Sequence, residues 1–113
     1  MENRRNARVP SRMRCWCEGG NVTLYSRVGN LSEGGMFLRT STPLQEGTRA
    51  TVRLGVGEEN GPELHTAVKV VWSRKNGHTW PPGMGLAFEE LDAANLERLR
   101  QIISHEQTRW PGA

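Results

Sequence analysis

The 113-residue sequence predicts an all-β domain closed by one helix, a six-stranded antiparallel barrel or sandwich with a C-terminal α-helix. Three observations carry this. Six short stretches alternate apolar and polar residues, and each is bounded by Gly, Pro, Asn or Ser. The period changes from two to that of a helix at Asp92. The length suits one domain with an ordinary hydrophobic core and is too short for two.

The elements follow in order. An arginine-rich arm over residues 1–12, ending near Pro10, precedes a first strand at Met13-Arg14-Cys15-Trp16-Cys17. Glu18-Gly19-Gly20-Asn21 signals a hairpin turn into a second strand, Val22 to Val28, with Val22, Leu24 and Val28 on its inward face. A glycine-rich loop leads to a third strand near Met36 to Thr40. A fourth runs from Arg49 to Val56, with Ala50, Val52, Leu54 and Val56 inward. Asn60-Gly61 is a hairpin signal joining it to a fifth, Leu64 to Trp72, where Leu64, Val68, Val70 and Trp72 share a face. Ser73 to Gly83 is a polar loop containing Trp80, and Met84 to Phe88 is a sixth strand. Asp92 is a candidate N-cap for a helix over about 92–105, on which Leu96, Leu99, Ile102 and Ile103 recur at helical spacing. The domain is thus expected over residues 13–106, with a frayed tail over 107–113.

The net charge of +3 hides an asymmetry: residues 1–17 hold Arg4, Arg5, Arg8, Arg12 and Arg14 against Glu2 alone. Arginine outnumbers lysine thirteen to two, and arginine suits planar, two-pronged recognition of phosphate or a guanine edge. Charge gathered in one short arm points to a small anion rather than to a long nucleic-acid track. Cys15 and Cys17, two apart on a strand, are too close for an unstrained mutual disulfide and are expected to be reduced and structural. His65, His78 and His105 are scattered, so no metal-ligand spacing is present. No apolar run of membrane-spanning length and no apolar stretch after the basic N-terminus is found, so a cytoplasmic location is expected.

Gly29-Asn30-Leu31-Ser32-Glu33-Gly34-Gly35 places two hydrogen-bonding side chains and three glycines in seven residues. Asn30 and Ser32, at alternate positions of an extended segment, can face one partner, and the glycines allow close approach. The same residues also form ordinary strand connections. Arg4-Arg5-Asn6-Ala7-Arg8 contains RxxxR, and Asn30 to Gly35 contains NxSxxG. The pair, in this order around the first two strands, resembles the two-part signature of PilZ domains, bacterial receptors for the second messenger cyclic di-GMP. Val68-Lys69-Val70-Val71-Trp72, Gly83 to Phe88 and the final helix extend the resemblance over roughly residues 4 to 105.

The resemblance implies a six-stranded antiparallel barrel with a helix at one end. It implies that Arg4 and Arg8 are the motif arginines with Arg5 a helper, that Asn30, Ser32 and Gly35 occupy the second motif, and that Gly34 and Gly35 bring backbone amides near the ligand. Many members carry Asp where Asn30 stands. Asn cannot accept two charge-assisted bonds, so an altered affinity is expected. Trp72 is a candidate to stack on a guanine, with a core role the alternative. The function expected is therefore a cyclic di-GMP receptor without a cofactor, which orders its arginine arm on the ligand and signals to a protein partner in trans or through self-association as a homodimer. An adaptor that binds no nucleotide and a barrel that binds single-stranded nucleic acid are the alternatives. No nucleophile–base or carboxylate-pair arrangement suggests an enzyme, and Glu33 in the loop is expected to face solvent.

Overall fold

A computed structural model of the chain describes residues 8–55, 61, 63–75 and 81–109. Arg4, Arg5, Val56, Asn60, Trp80 and the last four residues lie outside the described set. Among the described residues there are seven strands and one helix: β1 (Val9–Pro10), β2 (Arg14–Gly19), β3 (Val22–Leu31), β4 (Gly35–Arg39), β5 (Arg49–Leu54), β6 (Leu64–Arg74), β7 (Gly83–Phe88) and α1 (Ala93–Arg109). Every pairing is antiparallel, and β2–β3–β4–β7–β6–β5 closes on itself because β5 also pairs with β2. Closure leaves no free edge among these six strands. The two-residue β1, which strand periodicity does not reveal, pairs with the end of β3 and carries the arm onto the barrel wall.

The β2–β3 turn follows from its residues. Gly20 and Asn21 both have positive φ, 57° and 65°, as a two-residue hairpin turn with the strands' twist requires. Inward positions of the strands fill the barrel with Leu31, Met36, Leu38, Val52, Leu54, Leu64, Val68, Met84 and Leu86, all fully or almost fully buried. Val22, expected inward, lies at the hairpin end and is 43% exposed. Cys15 and Cys17 are free and point into this core. Burial raises both thiols, that of Cys17 up to about 11 with Glu18 adding to the effect, so neither is a thiolate at neutral pH.

Helix α1 begins as expected, with the Asn95 amide donating to Asp92 Oδ1 at 2.7 Å. Leu99 and Ile102 bury the helix against the core. The helix runs to Arg109 rather than ending near 105, so residues 107–109 are helical and not a frayed tail. The reason is Glu106, which continues the buried face with no exposure and accepts a hydrogen bond from Ser11 Oγ at 2.7 Å. Its Oε2 lies 3.5 Å from Arg109 Nη1. A glutamate in the last turns of a helix looks solvated in sequence, yet here it anchors the chain between β1 and β2. Glu106→Ala is expected to lower stability by about 2–3 kcal/mol, because a buried hydrogen bond to a charged group is lost and a void is left. Glu106→Gln, which keeps an oxygen for Ser11, should recover more than half of that in urea denaturation.

Candidate functional site

Two irregularities in the sheet create the site. Between β3 and β4 the register shifts at Gly29, so Val28 faces Leu38 but Asn30 faces Phe37. Between β6 and β7 it shifts at Val71, so Val70 faces Leu86 but Trp72 faces Gly85. An extra residue reverses the inward–outward alternation beyond it. Asn30 and Trp72, which share the parity of the buried Val28 and Val70, are thereby turned to the outer surface. For Trp72 this corrects the expectation of a face shared with Leu64, Val68 and Val70, and Val71 is left 51% exposed.

Because Phe37 also pairs with Gly85, the residues Asn30, Phe37, Gly85 and Trp72 form one transverse row over four neighbouring strands. Gly85 contributes no side chain, and the Trp72 indole occupies the place its Cβ would take. The indole thus lies across β7 and stacks on Phe37, with centroids 5.4 Å apart and planes 18° from parallel. Arg74 caps this aromatic pair, its Cζ 4.9 Å from the Trp72 ring centre and 5.6 Å from that of Phe37. Its Nε donates to the Pro81 carbonyl at 2.9 Å, which fixes the guanidinium.

Arg8 enters from the arm. Its Nη1 donates to Asn30 Oδ1 at 3.1 Å, so the last arginine of RxxxR and the first residue of NxSxxG meet across 22 positions of sequence. Burial at the groove desolvates the guanidinium and lowers its pKa, although an arginine remains charged. Arg8, Asn30, Phe37, Trp72, Arg74 and Gly85 line a groove of about 420 Å³. A larger concavity of about 910 Å³ lies elsewhere, among Glu18, Arg49, His65 and Glu90. It contains no Trp, Tyr or Phe, its Arg49 is partnered by Glu89 at 3.8 Å, and Glu18 and Glu90 make it acidic, so it offers an anionic ligand neither a stacking surface nor a free cation.

The rest of the second motif does not face the groove. Ser32 is 1% exposed, its Oγ accepts from the Gly34 amide at 3.2 Å, and its own amide donates to the Gly35 carbonyl at 2.8 Å. The Gly34 amide is thus engaged within the turn instead of being offered outward. Gly35 is buried where β4 meets β7, and a Cβ there would coincide with the Leu86 carbonyl oxygen. Glu33 is not simply solvated either: it accepts from Arg100 Nε at 3.1 Å, which ties the turn to α1. The helix therefore braces the motif turn through Arg100 and the root of the arm through Glu106.

Phe37, Arg74 and Gly85 are site residues that sequence reasoning did not single out. Their signal is positional: Arg74 lies two residues beyond Trp72 on the same strand, and Phe37 and Gly85 sit opposite the two outward-turned residues. Among the described residues, no group of three His, Cys, Asp or Glu side chains is arranged to hold a metal, and no helix is long and apolar enough to cross a membrane.

A closed barrel that brings Arg8 beside a half-buried aromatic pair combines a cation with a planar apolar surface, the chemistry that suits a planar, anionic small molecule. The chain belongs to the PilZ domain family, whose model matches residues 2–105. Its fold is similar to that of the PilZ domain of Escherichia coli YcgR solved with c-di-GMP, at a TM-score of 0.76 and 22% identity over 96% of this chain and 94% of that one. It is also similar to YcgR in complex with c-di-GMP (TM-score 0.71, 23% identity, 96% and 48% of the two chains). The Bacillus subtilis inhibitor of motility MotI/DgrA gives a TM-score of 0.76 at 17% identity, over 96% and 53%. The chain thus spans about half the length of MotI/DgrA and of the longer YcgR chain. No curated protein matches it.

Proposed function

We propose that this protein is a receptor for cyclic di-GMP that holds the ligand in the groove between its arm and the Phe37–Trp72 pair. The observation that carries the reading is the Arg8–Asn30 contact beside that pair, because it joins the two motif segments at a surface suited to a nucleobase. A guanine stacks on the half-buried indole, in the manner of bases on aromatic platforms. The donors that Arg8 does not spend on Asn30 fork onto a phosphate or onto guanine O6 and N7. The Asn30 amide group, held by Arg8, presents its NH₂ to a base edge. Ser32 and Gly35 serve by fixing the turn that follows Asn30. Arg4 and Arg5 belong to the same reading as further phosphate contacts of the arm, which closes over the ligand. The ordered arm is a new surface for a protein partner in trans.

Calorimetry tests this. Cyclic di-GMP is expected to bind saturably, and Arg8→Ala to weaken binding roughly 100-fold, the worth of a lost charge-assisted contact. The same variant should keep its thermal midpoint, since Arg8 is exposed and outside the core. No heat from the wild type well above micromolar ligand would favour the nucleotide-free adaptor. Binding that scales with strand length and falls steeply with salt would favour single-stranded nucleic acid.

A further inference from the structure

We propose that the cleft lined by Arg12, Arg27 and Arg39, beside the groove, is a second anion site that takes a phosphate group. The register places Arg14 opposite Arg27, Arg27 opposite Arg39, and both Arg39 and Arg74 opposite Gly83. Four arginines thus stand in one transverse row on the outer face of five neighbouring strands. Like charges directly opposite each other destabilise a sheet, so this row costs stability unless an anion compensates it. Glu33 and Glu89 lie at the far ends of β3, β4 and β7 from this row and are committed to Arg100 and Arg49. Among the described residues neither Arg27 nor Arg39 has an acidic partner.

The place is also concave. Arg12, Arg27 and Arg39 surround about 300 Å³ floored by Val28 and Gly29, enough for a phosphate group with its neighbouring atoms. Guanidinium forks match phosphate oxygens in pairs, which lysines do not. Arg39 lies two residues from Phe37 along β4, so the arginine row runs parallel to the aromatic row about 7 Å away. A nucleotide presents a planar base and a phosphate in this relation, separated by one sugar. The phosphate comes either from the cyclic dinucleotide in the groove or from a separate phosphorylated small molecule. The inference rests on the arginine geometry and not on the cyclic di-GMP reading.

Inorganic pyrophosphate titrated into isotope-labelled protein at low salt is the test. Amide resonances of Arg27, Val28, Gly29 and Arg39 are expected to shift saturably. Arg27→Gln/Arg39→Gln should weaken this at least tenfold, while Arg8→Ala leaves it in place. The double variant should melt at the wild-type temperature or higher, because repulsion is removed, so a loss of binding is not a loss of fold. Absence of the shifts in the wild type, or their persistence in the double variant, overturns the proposal. A parallel cyclic di-GMP titration assigns the source. A fivefold or larger loss of affinity in Arg39→Gln makes the phosphate that of the groove ligand, and unchanged affinity makes it that of a separate molecule. Wild-type protein that takes pyrophosphate here but ignores cyclic di-GMP refutes the receptor reading and leaves this site standing.

Discussion

Gly35→Ala is expected to lower the stability of the domain by about 3–5 kcal/mol, enough to unfold much of a population whose total stability is of the order of 5–15 kcal/mol. The Cβ it adds meets the Leu86 carbonyl oxygen and the Ala87 Cα, which are main-chain atoms of the neighbouring strand. Overpacking in a core is ordinarily relieved by a side chain changing rotamer. Here no side chain is involved, and β4 and β7 must separate along the register that pairs Gly35 with Ala87 and Met36 with Leu86. Gly34→Ala, at the exposed neighbouring position, should cost no more than about 1 kcal/mol. Urea denaturation of both variants measures the difference, and an unchanged midpoint for Gly35→Ala would show that the strands give way more easily than their pairing implies.

This expectation changes what the second motif means. From sequence, three glycines beside Asn30 and Ser32 suggest a loop shaped around a ligand. In the structure Gly35 serves the contact of two strands, Ser32 closes the turn, and Asn30, alone of the three polar or glycine motif positions, lines the groove. Residue types that permit close approach look the same whether the approaching group is a ligand or the protein's own backbone. Only the register distinguishes the two.

The strands and the start of the helix were legible because burial on one side imposes a period, and Asp92 announces its cap. The site was less legible because it depends on two places where the period fails. Counting by twos along β6 puts Trp72 inside with Val70. The extra residue Val71 puts it outside, and the only trace in sequence is three consecutive apolar residues, Val70-Val71-Trp72, breaking an alternation. Gly29 does the same for Asn30. Glu106 was illegible for another reason. Its partner Ser11 is 95 positions away, and a buried carboxylate differs from a solvated one only through such a partner. The meeting of Arg8 with Asn30, across 22 positions, is also non-local, and the paired motifs pointed to it through resemblance where no local pattern could.

Gly85→Ala is expected to spare the fold and remove most of the binding, the reverse balance from Gly35→Ala. Its added Cβ would coincide with the Trp72 indole, the mobile end of a side chain at the outer surface. The indole swings away, and the sheet stays closed. The cost in stability is then about 1–2 kcal/mol, chiefly the lost stacking on Phe37 and the apolar area returned to water. The aromatic platform, however, is dismantled. If a base stacks there, its contribution of about 1–3 kcal/mol disappears, and affinity for cyclic di-GMP falls roughly 10- to 100-fold. Trp72→Ala should weaken binding by a similar factor, and the double variant by no more than either single one, since both remove the same surface. Tryptophan emission provides an independent readout: it should move to longer wavelength in Gly85→Ala relative to the wild type as the indole enters water. Wild-type affinity in Gly85→Ala would mean that the ligand is held by the arginines without the rings, and losses that add in the double variant would mean that Gly85 acts on binding other than through the indole.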